Sequence, residues 1–237
     1  MPIKKAVIVA AGLSSRLYPL TLEKPKGLLP LGETTILQRS INIIRSLGIT
    51  DIAVVIGYKD QMMQEQLSGV DKFIYNPFYK QCNNLGSCWM AHEYIGNDPF
   101  LYMHGDLAYD PKMLNTTLTQ NNSKHCATLM VDFKQCDEEA MKVTIDEDFN
   151  LIKSDKEIPL SESKGEWTGI AVINDSKNVL KYFKQTLRDE ELNRYDTFAF
   201  NRMAKDEFKF KCLSTNNLSW SEIDFLEDYK MAKKLFT

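Results

Sequence analysis

The stretch AVIVAAGLSSRLYPLTLEKPKGLLPL (residues 6–31) decides which folds the chain can adopt. It begins with an apolar run that predicts a buried β-strand over residues 5–10, and this strand leads directly into a loop of small residues. Backbone N–H groups in such a loop can converge on phosphate oxygens. Arg16 and Lys26, the latter between a proline and a glycine, add two cations to the same window. The stretch therefore predicts an anion-binding loop, and a surface turn with solvated charges is the alternative.

Three named loop motifs do not fit these residues. A Walker loop needs a second glycine and a lysine at a fixed distance after Gly12, and neither is present. A dinucleotide fingerprint needs three glycines, and GLSSRL supplies one. A nucleophile elbow needs a glycine where Arg16 stands. The remaining interpretation is a loop of small residues that binds a polyphosphate.

Apolar runs alternate with helical periodicity along the rest of the chain, which is typical of a parallel sheet covered by helices. We expect one α/β domain over residues 1–237, with a β region around 125–165. The predicted strands are 51–58, 72–76, 100–106, 167–173 and 208–213, with antiparallel strands at 126–133, 141–146 and 150–155. The predicted helices are 35–47, 61–67, 85–95, 177–187, 197–204 and a terminal helix from about 225.

Composition excludes several classes of protein. With 29 Lys and Arg against 32 Asp and Glu, the net charge is −3, so no global basic field attracts nucleic acid or a membrane surface. The N-terminus lacks the pattern of a signal peptide and no run is long enough to span a membrane, so we expect a cytoplasmic protein. The five cysteines and three histidines show no ligand spacing, and we expect packing residues there.

Residues 6–31 resemble the signature of the nucleotidyltransferases that activate sugar-1-phosphates and phosphorylated alcohols. That signature has a strand, then A-A/G-G-x-G-x-R-L-x-P-L-T, then P-K-x-L-x-P, and Ser14 stands here where the family commonly has glycine. Four further segments resemble the same family: LGITDIAVVIGY (47–58), NNLGSCWMAHEY (83–94), HGDLAYD (104–110) and SEIDFLEDYKMA (221–232).

The resemblance implies a Rossmann-like, three-layer, GT-A-like nucleotidyltransferase fold of the α/β class. Its central sheet would be mixed and mostly parallel, with a small β insertion at the acceptor site. Residues 1–110 would form the nucleotide-binding half and residues 111–237 the acceptor-binding half. A homodimer or a fusion to a pathway enzyme would be compatible with this family.

The resemblance also implies the chemistry. An oxygen of the acceptor would attack the α-phosphorus of CTP, while Arg16 and Lys26 neutralise charge as catalytic residues. Mg²⁺ would be the cofactor, held by Asp106 and Asp224, since Mg²⁺ prefers hard oxygen ligands. Taken alone, Asp106 could begin a turn and Asp224 could cap a helix. The implied nucleotide-binding residues are Ala10, Ala11, Gly12, Ser14, Ser15, Asn83, Asn84 and Ser87.

The implied acceptor is a small phosphorylated amino alcohol or an aminophosphonate, with phosphocholine and 2-aminoethylphosphonate as candidates. Phosphocholine enzymes of this type carry a cage tryptophan where this chain has Glu139 and Ala140, which weakens a trimethylammonium cage and keeps a primary amine such as 2-aminoethylphosphonate as a candidate beside phosphocholine. A sugar-1-phosphate nucleotidylyltransferase using UTP or dTTP, and a non-catalytic nucleotide-binding module, are the alternatives. The implied acceptor-binding residues are Lys142 and Lys156 for the phosphorus oxyanion, and Glu166, Trp167, Tyr195 and Asp196 for the ammonium group.

Overall fold

A nine-stranded sheet with helices on both faces organises the computed structural model, which describes residues 2–236. The strands are β1 (Lys5–Val9), β2 (Pro30–Leu31), β3 (Thr34–Thr35), β4 (Asp51–Ile56), β5 (Lys72–Tyr75), β6 (Phe100–His104), β7 (Leu107–Tyr109), β8 (Ala127–Asp132), β9 (Lys142–Ile145), β10 (Leu151–Asp155), β11 (Gly165–Ile173), β12 (Phe210–Ser214) and β13 (Trp220–Glu222). The helices are α1 (Ile36–Ser46), α2 (Asp60–Gln66), α3 (Asn84–Trp89), α4 (His92–Ile95), α5 (Pro111–Thr119), α6 (Ser176–Arg188), α7 (Asp196–Lys205) and α8 (Leu226–Phe236), with two short 3-10 helices at Ser15–Leu17 and Lys26–Leu28.

The sheet is mixed around a parallel centre. Strands β5, β4, β1 and β6 are parallel neighbours in that order, and β11 continues the sheet antiparallel to β6. The first residues of β11 extend beyond the end of β6 and pair with β9, so the β9–β10 hairpin overhangs the carboxyl end of the sheet. The mixed sheet with a parallel centre agrees with the prediction.

Alternation along β1 divides the core into two layers. Ala6 and Ile8 pack with the apolar faces of α1, α2 and α5 on one side of the sheet. Val7 and Val9 face the other side, where α3, α6 and α7 contribute buried side chains. In the described residues no helix is both long and apolar enough to cross a membrane.

Two predicted elements differ in the structure. The helix expected over 85–95 is divided into α3 and α4, because the His92 ring stacks on Trp89 and its Nδ1 lies 3.0 Å from the Trp89 carbonyl oxygen, which a continuous helix would use. Strand β8, expected as one of three antiparallel strands, pairs antiparallel with β11 but parallel with β12, in the same nine-stranded sheet that contains β9 and β10. Strands β2, β3, β7 and β13 were not expected.

Ser14 takes a backbone conformation that favours glycine. Its φ of 53° lies in the left-handed region, and its carbonyl oxygen accepts a hydrogen bond from Thr21 Oγ1 at 2.8 Å. This geometry gives a physical reason for glycine at the corresponding position of the signature. Thr21, which is fully buried, holds the serine there.

Gly169 leaves room for His104. Its φ is +80°, and a Cβ at residue 169 would lie 2.6 Å from Nδ1 of His104. We expect Gly169→Ala to lower the free energy of unfolding by about 1–3 kcal/mol, because the alanine must adopt a left-handed conformation and displace the imidazole. Chemical denaturation checks this, with Gly12→Ala as a control, since a Cβ at Gly12 meets nothing within 4 Å. Equal stability of the two variants would contradict it.

Candidate active site

A cleft of about 650 Å³ opens at the carboxyl ends of β1 and β6. Ligands of open α/β sheets bind at this edge. All but three of the predicted site residues line the cleft, and the exceptions are Ser15, Lys142 and Asp196. The predicted residues that do line it are Ala10, Ala11, Gly12, Ser14, Arg16, Lys26, Asn83, Asn84, Ser87, Asp106, Lys156, Glu166, Trp167, Tyr195 and Asp224.

Backbone hydrogen bonds fix the small-residue loop after β1. The Ala10 N–H donates to the Val55 carbonyl oxygen at 2.9 Å, and the Ala11 carbonyl oxygen accepts from the Tyr58 N–H at 3.0 Å. Both bonds tie the loop to the end of β4. The loop therefore enters the cleft from the rigid centre of the sheet.

Lys26 forms ion pairs with both of the aspartates that were predicted as metal ligands. Its Nζ lies 2.8 Å from Asp106 Oδ2 and 3.0 Å from Asp224 Oδ1, and Arg16 Nη2 lies 2.7 Å from the other oxygen of Asp224. Burial opposes the charge of Lys26, but the two carboxylates outweigh it and raise the pKa of the amine above its ordinary value. Burial likewise opposes the charge of Asp106, and Lys26 and His104 nevertheless hold the pKa of that carboxyl low. Two cations and two anions therefore meet at one point of the cleft.

Two local structures bring these residues together. Strands β7 and β13 pair antiparallel, with Glu222 opposite Leu107, and the Ile223 N–H donates to the Asp106 carbonyl oxygen at 3.0 Å. This ladder places the segment that carries Asp106 beside the segment that carries Asp224. Pro25 precedes the 3-10 helix at Lys26–Leu28, whose buried turn presents Lys26 to them.

His104, Asp106 and Glu222 form a cluster that fits a divalent metal ion. One ligand atom from each lies within 4.8 Å of the others. Asp106 Oδ1 is buried and has no hydrogen-bond partner, although Oδ2 contacts Lys26. An orphaned carboxylate oxygen beside an imidazole and a second carboxylate suits a cation. Both oxygens of Asp224, predicted as the second ligand, form ion pairs with Lys26 and Arg16, and its role as a ligand stays a prediction.

Asp196 belongs to a buried network and not to the cleft wall, which corrects its predicted contact with the acceptor. It is 0% exposed, and its Oδ2 accepts from Tyr102 Oη at 2.6 Å and lies 3.0 Å from His104 Nε2. Its N–H donates to Asn84 Oδ1 at 2.9 Å. Burial lowers the pKa of His104, but the contacts with Asp196 and Glu222 outweigh it and raise that pKa well above its ordinary value.

Lys142 and Ser15 do not line the cleft. Lys142 is 0% exposed, and its Nζ donates to the backbone carbonyl oxygens of Glu138 and Lys156, so its ammonium holds a loop and is not available to an acceptor. Ser15 is exposed, and its contact with the nucleotide stays a prediction.

Trp167 also differs from its predicted role. It lines the cleft but is 3% exposed, and its ring packs among the aromatic rings of Tyr102, His104 and Phe200. Little ring surface is therefore left for an ammonium group, and core packing describes this residue better.

Two lysines line the cleft close to the ends of β8 and β10. Lys156 Nζ lies 5.9 Å from the centre of the Tyr195 ring and 3.4 Å from Glu139 Oε2. Lys134 Nζ lies 3.0 Å from Asp132 Oδ2 and 3.4 Å from Glu166 Oε2. This side of the cleft therefore combines cations, carboxylates and an aromatic ring.

Burial affects the pKa of the Glu166 carboxyl. It raises the pKa of this carboxyl above its ordinary value, while the nearby Lys134 opposes the change.

Several residues of the cleft were not predicted from sequence. They include His104, Lys134, Glu139, Trp220 and Glu222. Glu222 and His104 lie inside segments that were assigned to the family, SEIDF and HGD, and could have been found as polar neighbours of the two aspartates. Lys134 carries no motif, and only the pairing of β8 with β11 brings it to Glu166.

Known proteins resemble this chain over different lengths. It is 24% identical over 255 residues to the CTP:phosphoglutamine cytidylyltransferase of Campylobacter jejuni, covering 95% of this chain and 98% of that one. It is 30% identical over 115 residues to the CMP-5'-(3-aminopropyl)phosphonate synthase of Streptomyces rubellomurinus, covering 46% of this chain but only 18% of that protein. A UTP–glucose-1-phosphate uridylyltransferase is also among the similar proteins.

The fold is that of solved nucleotidyltransferases. The structure of the CTP:phosphocholine cytidylyltransferase from Streptococcus pneumoniae superposes with a TM-score of 0.78 and 19% identity, covering 100% of both chains. Residues 6–190 match the family described as the MobA-like NTP transferase domain. Since this match spans most of the chain, the chain belongs to that nucleotidyltransferase family.

Proposed function

We propose that the protein is a divalent-metal-dependent cytidylyltransferase that transfers CMP from CTP to a small phosphorylated amine or aminophosphonate and releases pyrophosphate. The observation that carries the proposal is the Lys26 ammonium, which lies between Asp106 and Asp224 inside the cleft and beside Arg16. Family membership makes nucleotidyl transfer the reaction class. The cytidylyltransferases among the similar proteins favour CTP.

The reaction needs neutralisation of charge more than covalent chemistry. An oxygen of the acceptor forms a bond to the α-phosphorus of CTP, and the bond from that phosphorus to the bridging oxygen of the β-phosphate breaks, so that pyrophosphate leaves. Arg16 and Lys26 would stabilise charge on the leaving pyrophosphate and screen the repulsion between the two anions. Residues 1–110 would hold the nucleotide and residues 111–237 the acceptor.

Asp106, with its unpartnered Oδ1, would hold the divalent metal together with Asp224 or Glu222. When bound, Mg²⁺ supplies Lewis-acid stabilisation of phosphate oxygens. Lys26 would keep the two carboxylates close together before the substrates arrive, since it already contacts both.

The nucleotide would be recognised at the loop after β1 and at the start of α3. Asn83 caps α3, and its Oδ1 accepts from the Asn84 N–H at 2.8 Å, which leaves the Asn83 amide nitrogen available to a base. Ser87 lies one turn further along the same helix and also lines the cleft. Backbone groups of Ala10, Ala11 and Gly12 would complete this side.

The acceptor would lie between Lys134 and Lys156. Lys156 would bind its phosphorus oxyanion, and Glu166 with Tyr195 would receive the amine. Trp167 is enclosed in the core, Glu139 and Ala140 stand where phosphocholine enzymes carry a cage tryptophan, and Lys134 Nζ already lies 4.9 Å from the centre of the Trp220 ring. These features support a primary amine over a trimethylammonium group.

Pyrophosphate release tests the proposal. The full chain is incubated with Mg²⁺, one of the four common triphosphates and one of phosphocholine, phosphoethanolamine, 2-aminoethylphosphonate or glucose-1-phosphate. We expect release with CTP and an amine-bearing acceptor. Release with UTP or dTTP and glucose-1-phosphate alone would favour a sugar nucleotidylyltransferase, and no release with any combination would favour a non-catalytic nucleotide-binding module.

Lys156→Met is expected to weaken binding of the acceptor more than binding of the nucleotide. Loss of one charge-assisted contact should lower kcat/KM for the acceptor about tenfold, and the KM for CTP should change less than about twofold. Lys153→Met is the matched control, because Lys153 lies on the same hairpin, pairs with Asp155 and does not line the cleft. Equal effects of the two substitutions would remove Lys156 from the acceptor site.

A further inference from the structure

We infer that His104 is a direct ligand of the divalent metal through Nδ1, and that the buried carboxylate of Asp196 fixes the imidazole for this purpose. The inference rests on the metal dependence proposed for the same site and adds a nitrogen ligand to its carboxylates. Such a site would bind borderline cations such as Mn²⁺ and Co²⁺ well in comparison with Mg²⁺, because imidazole suits transition metals.

The two ring nitrogens of His104 have different surroundings. Nε2 lies 3.0 Å from Asp196 Oδ2 and 3.0 Å from the side-chain nitrogen of Asn84. An ionised carboxylate can only accept a hydrogen bond, so the contact with Asp196 places a proton on Nε2; the Asn84 amide nitrogen is itself a donor, so its contact with a protonated Nε2 is not a hydrogen bond. In the neutral ring the lone pair is then on Nδ1, the nitrogen that faces Glu222 Oε1 at 3.7 Å.

Gly169 packs against the His104 ring, and its lack of a side chain lets the imidazole lie there, because a Cβ at this position would lie 2.6 Å from Nδ1. Asp106 Oδ1 is buried without a partner, although its second oxygen is on Lys26. One ring nitrogen of His104, one carboxylate oxygen of Asp106 and one of Glu222 lie within 4.8 Å of one another, close enough to ligate a single cation.

Asp196 is built as a positioning residue. It is 0% exposed, begins α7, accepts from Tyr102 Oη and from the Thr197 N–H, and contacts the far side of the His104 ring. A carboxylate behind a ligating histidine orients the ring and increases the basicity of the ligating nitrogen. A cation at Nδ1 competes with a proton for that nitrogen, so binding releases a proton where the ring was charged.

Metal binding without substrates tests the inference, so the outcome does not depend on whether cytidylyl transfer occurs. The probe is Mn²⁺ added to the full chain, measured by isothermal titration and by pulsed electron paramagnetic resonance of the frozen complex. We expect saturable binding and a coupling between Mn²⁺ and a directly bound ¹⁴N nucleus. We expect His104→Gln to abolish the coupling, and His92→Gln to retain it, since His92 stacks on Trp89 and does not line the cleft.

Asp196→Asn should retain the coupling but weaken Mn²⁺ binding about 10- to 100-fold, which is the usual effect of removing an orienting carboxylate. His104→Gln should weaken Co²⁺ more than Mg²⁺, whereas a general loss of structure would weaken both equally. No saturable Mn²⁺ binding, no nitrogen coupling in the unsubstituted chain, or an unchanged coupling in His104→Gln would each overturn the inference.

If His104→Gln does not fold, the unsubstituted chain still decides the question. With ¹⁵N-labelled histidine and Zn²⁺ as the probe, nuclear magnetic resonance should place the metal on Nδ1 and the proton on Nε2 of one of the three histidines. Coordination through Nε2, or no change at any histidine, would contradict the assignment.

Discussion

Lys26→Met is expected to lower kcat about 100- to 1,000-fold, the usual effect of removing one preorganised charge from a transition state. The substitution keeps an unbranched apolar side chain as long as the lysine stem and removes the ammonium that contacts both Asp106 and Asp224. These carboxylates would then repel each other in a buried setting, so the free energy of unfolding should fall as well. Steady-state pyrophosphate release, measured at a temperature where circular dichroism shows the variant to be folded, checks the expectation.

Lys24→Met is the matched control for this prediction. It removes the same charge two residues earlier in the chain, and Lys24 does not line the cleft. We expect its kcat within about twofold of the unsubstituted protein, since surface substitutions away from such features have small effects. A Lys26→Met variant that is folded and as active as Lys24→Met would remove Lys26 from the mechanism.

Asp106→Asn is expected to lower kcat/KM by about 1,000-fold and to raise the metal concentration required for half-maximal activity. The amide retains the shape of the side chain, but it removes the charge that pairs with Lys26 and the anionic oxygen that has no partner. Rates measured over a titration of Mg²⁺ and of Mn²⁺ separate loss of metal affinity from loss of turnover.

Asp110→Asn serves as the control for Asp106→Asn. Asp110 follows β7, caps α5 by accepting from the Lys112 N–H at 2.8 Å, and does not line the cleft. Asparagine caps helices about as well as aspartate, so activity and stability should both be retained. If Asp106→Asn retained the metal requirement and rate of this control, Asp106 could not be a ligand.

The parallel centre of the fold was predictable because its signals are local. The apolar run of β1 and the helical face of α1 each occur within one short window, and both were found with bounds close to those in the structure. Pairing is not local. The residues of β8 favour a strand whatever strands lie beside them. The place of β8 between β11 and β12 depends on residues far away in the chain.

The candidate site divides in the same way. Residues within one motif, such as Arg16 and Lys26, were expected in the cleft and lie there. Lys142 and Asp196 were expected there too, but the structure buries both, because their hydrogen-bond partners come from other segments of the chain. A lone charged residue on a strand or at a helix start gives no sign in sequence of which way it faces.

The ladder between β7 and β13 explains why the metal cluster was not anticipated. Three residues form β13, too few for a recognisable strand pattern, yet this pairing brings Glu222 to His104 and Asp106. Each of these side chains is ordinary in isolation. Their chemistry arises from a contact between residues more than a hundred positions apart.

The fate of isotope in the acceptor tests the central claim most directly. The acceptor, 2-aminoethylphosphonate or phosphocholine, is labelled with ¹⁸O at its phosphorus oxygens and incubated with CTP, Mg²⁺ and the full chain, and the products are analysed by mass spectrometry. We predict one cytidine conjugate and one pyrophosphate for each CTP consumed, with all of the label in the conjugate and none in pyrophosphate. Consumption of CTP without formation of a conjugate, or ¹⁸O label in the released pyrophosphate, would contradict attack of the acceptor on the α-phosphorus.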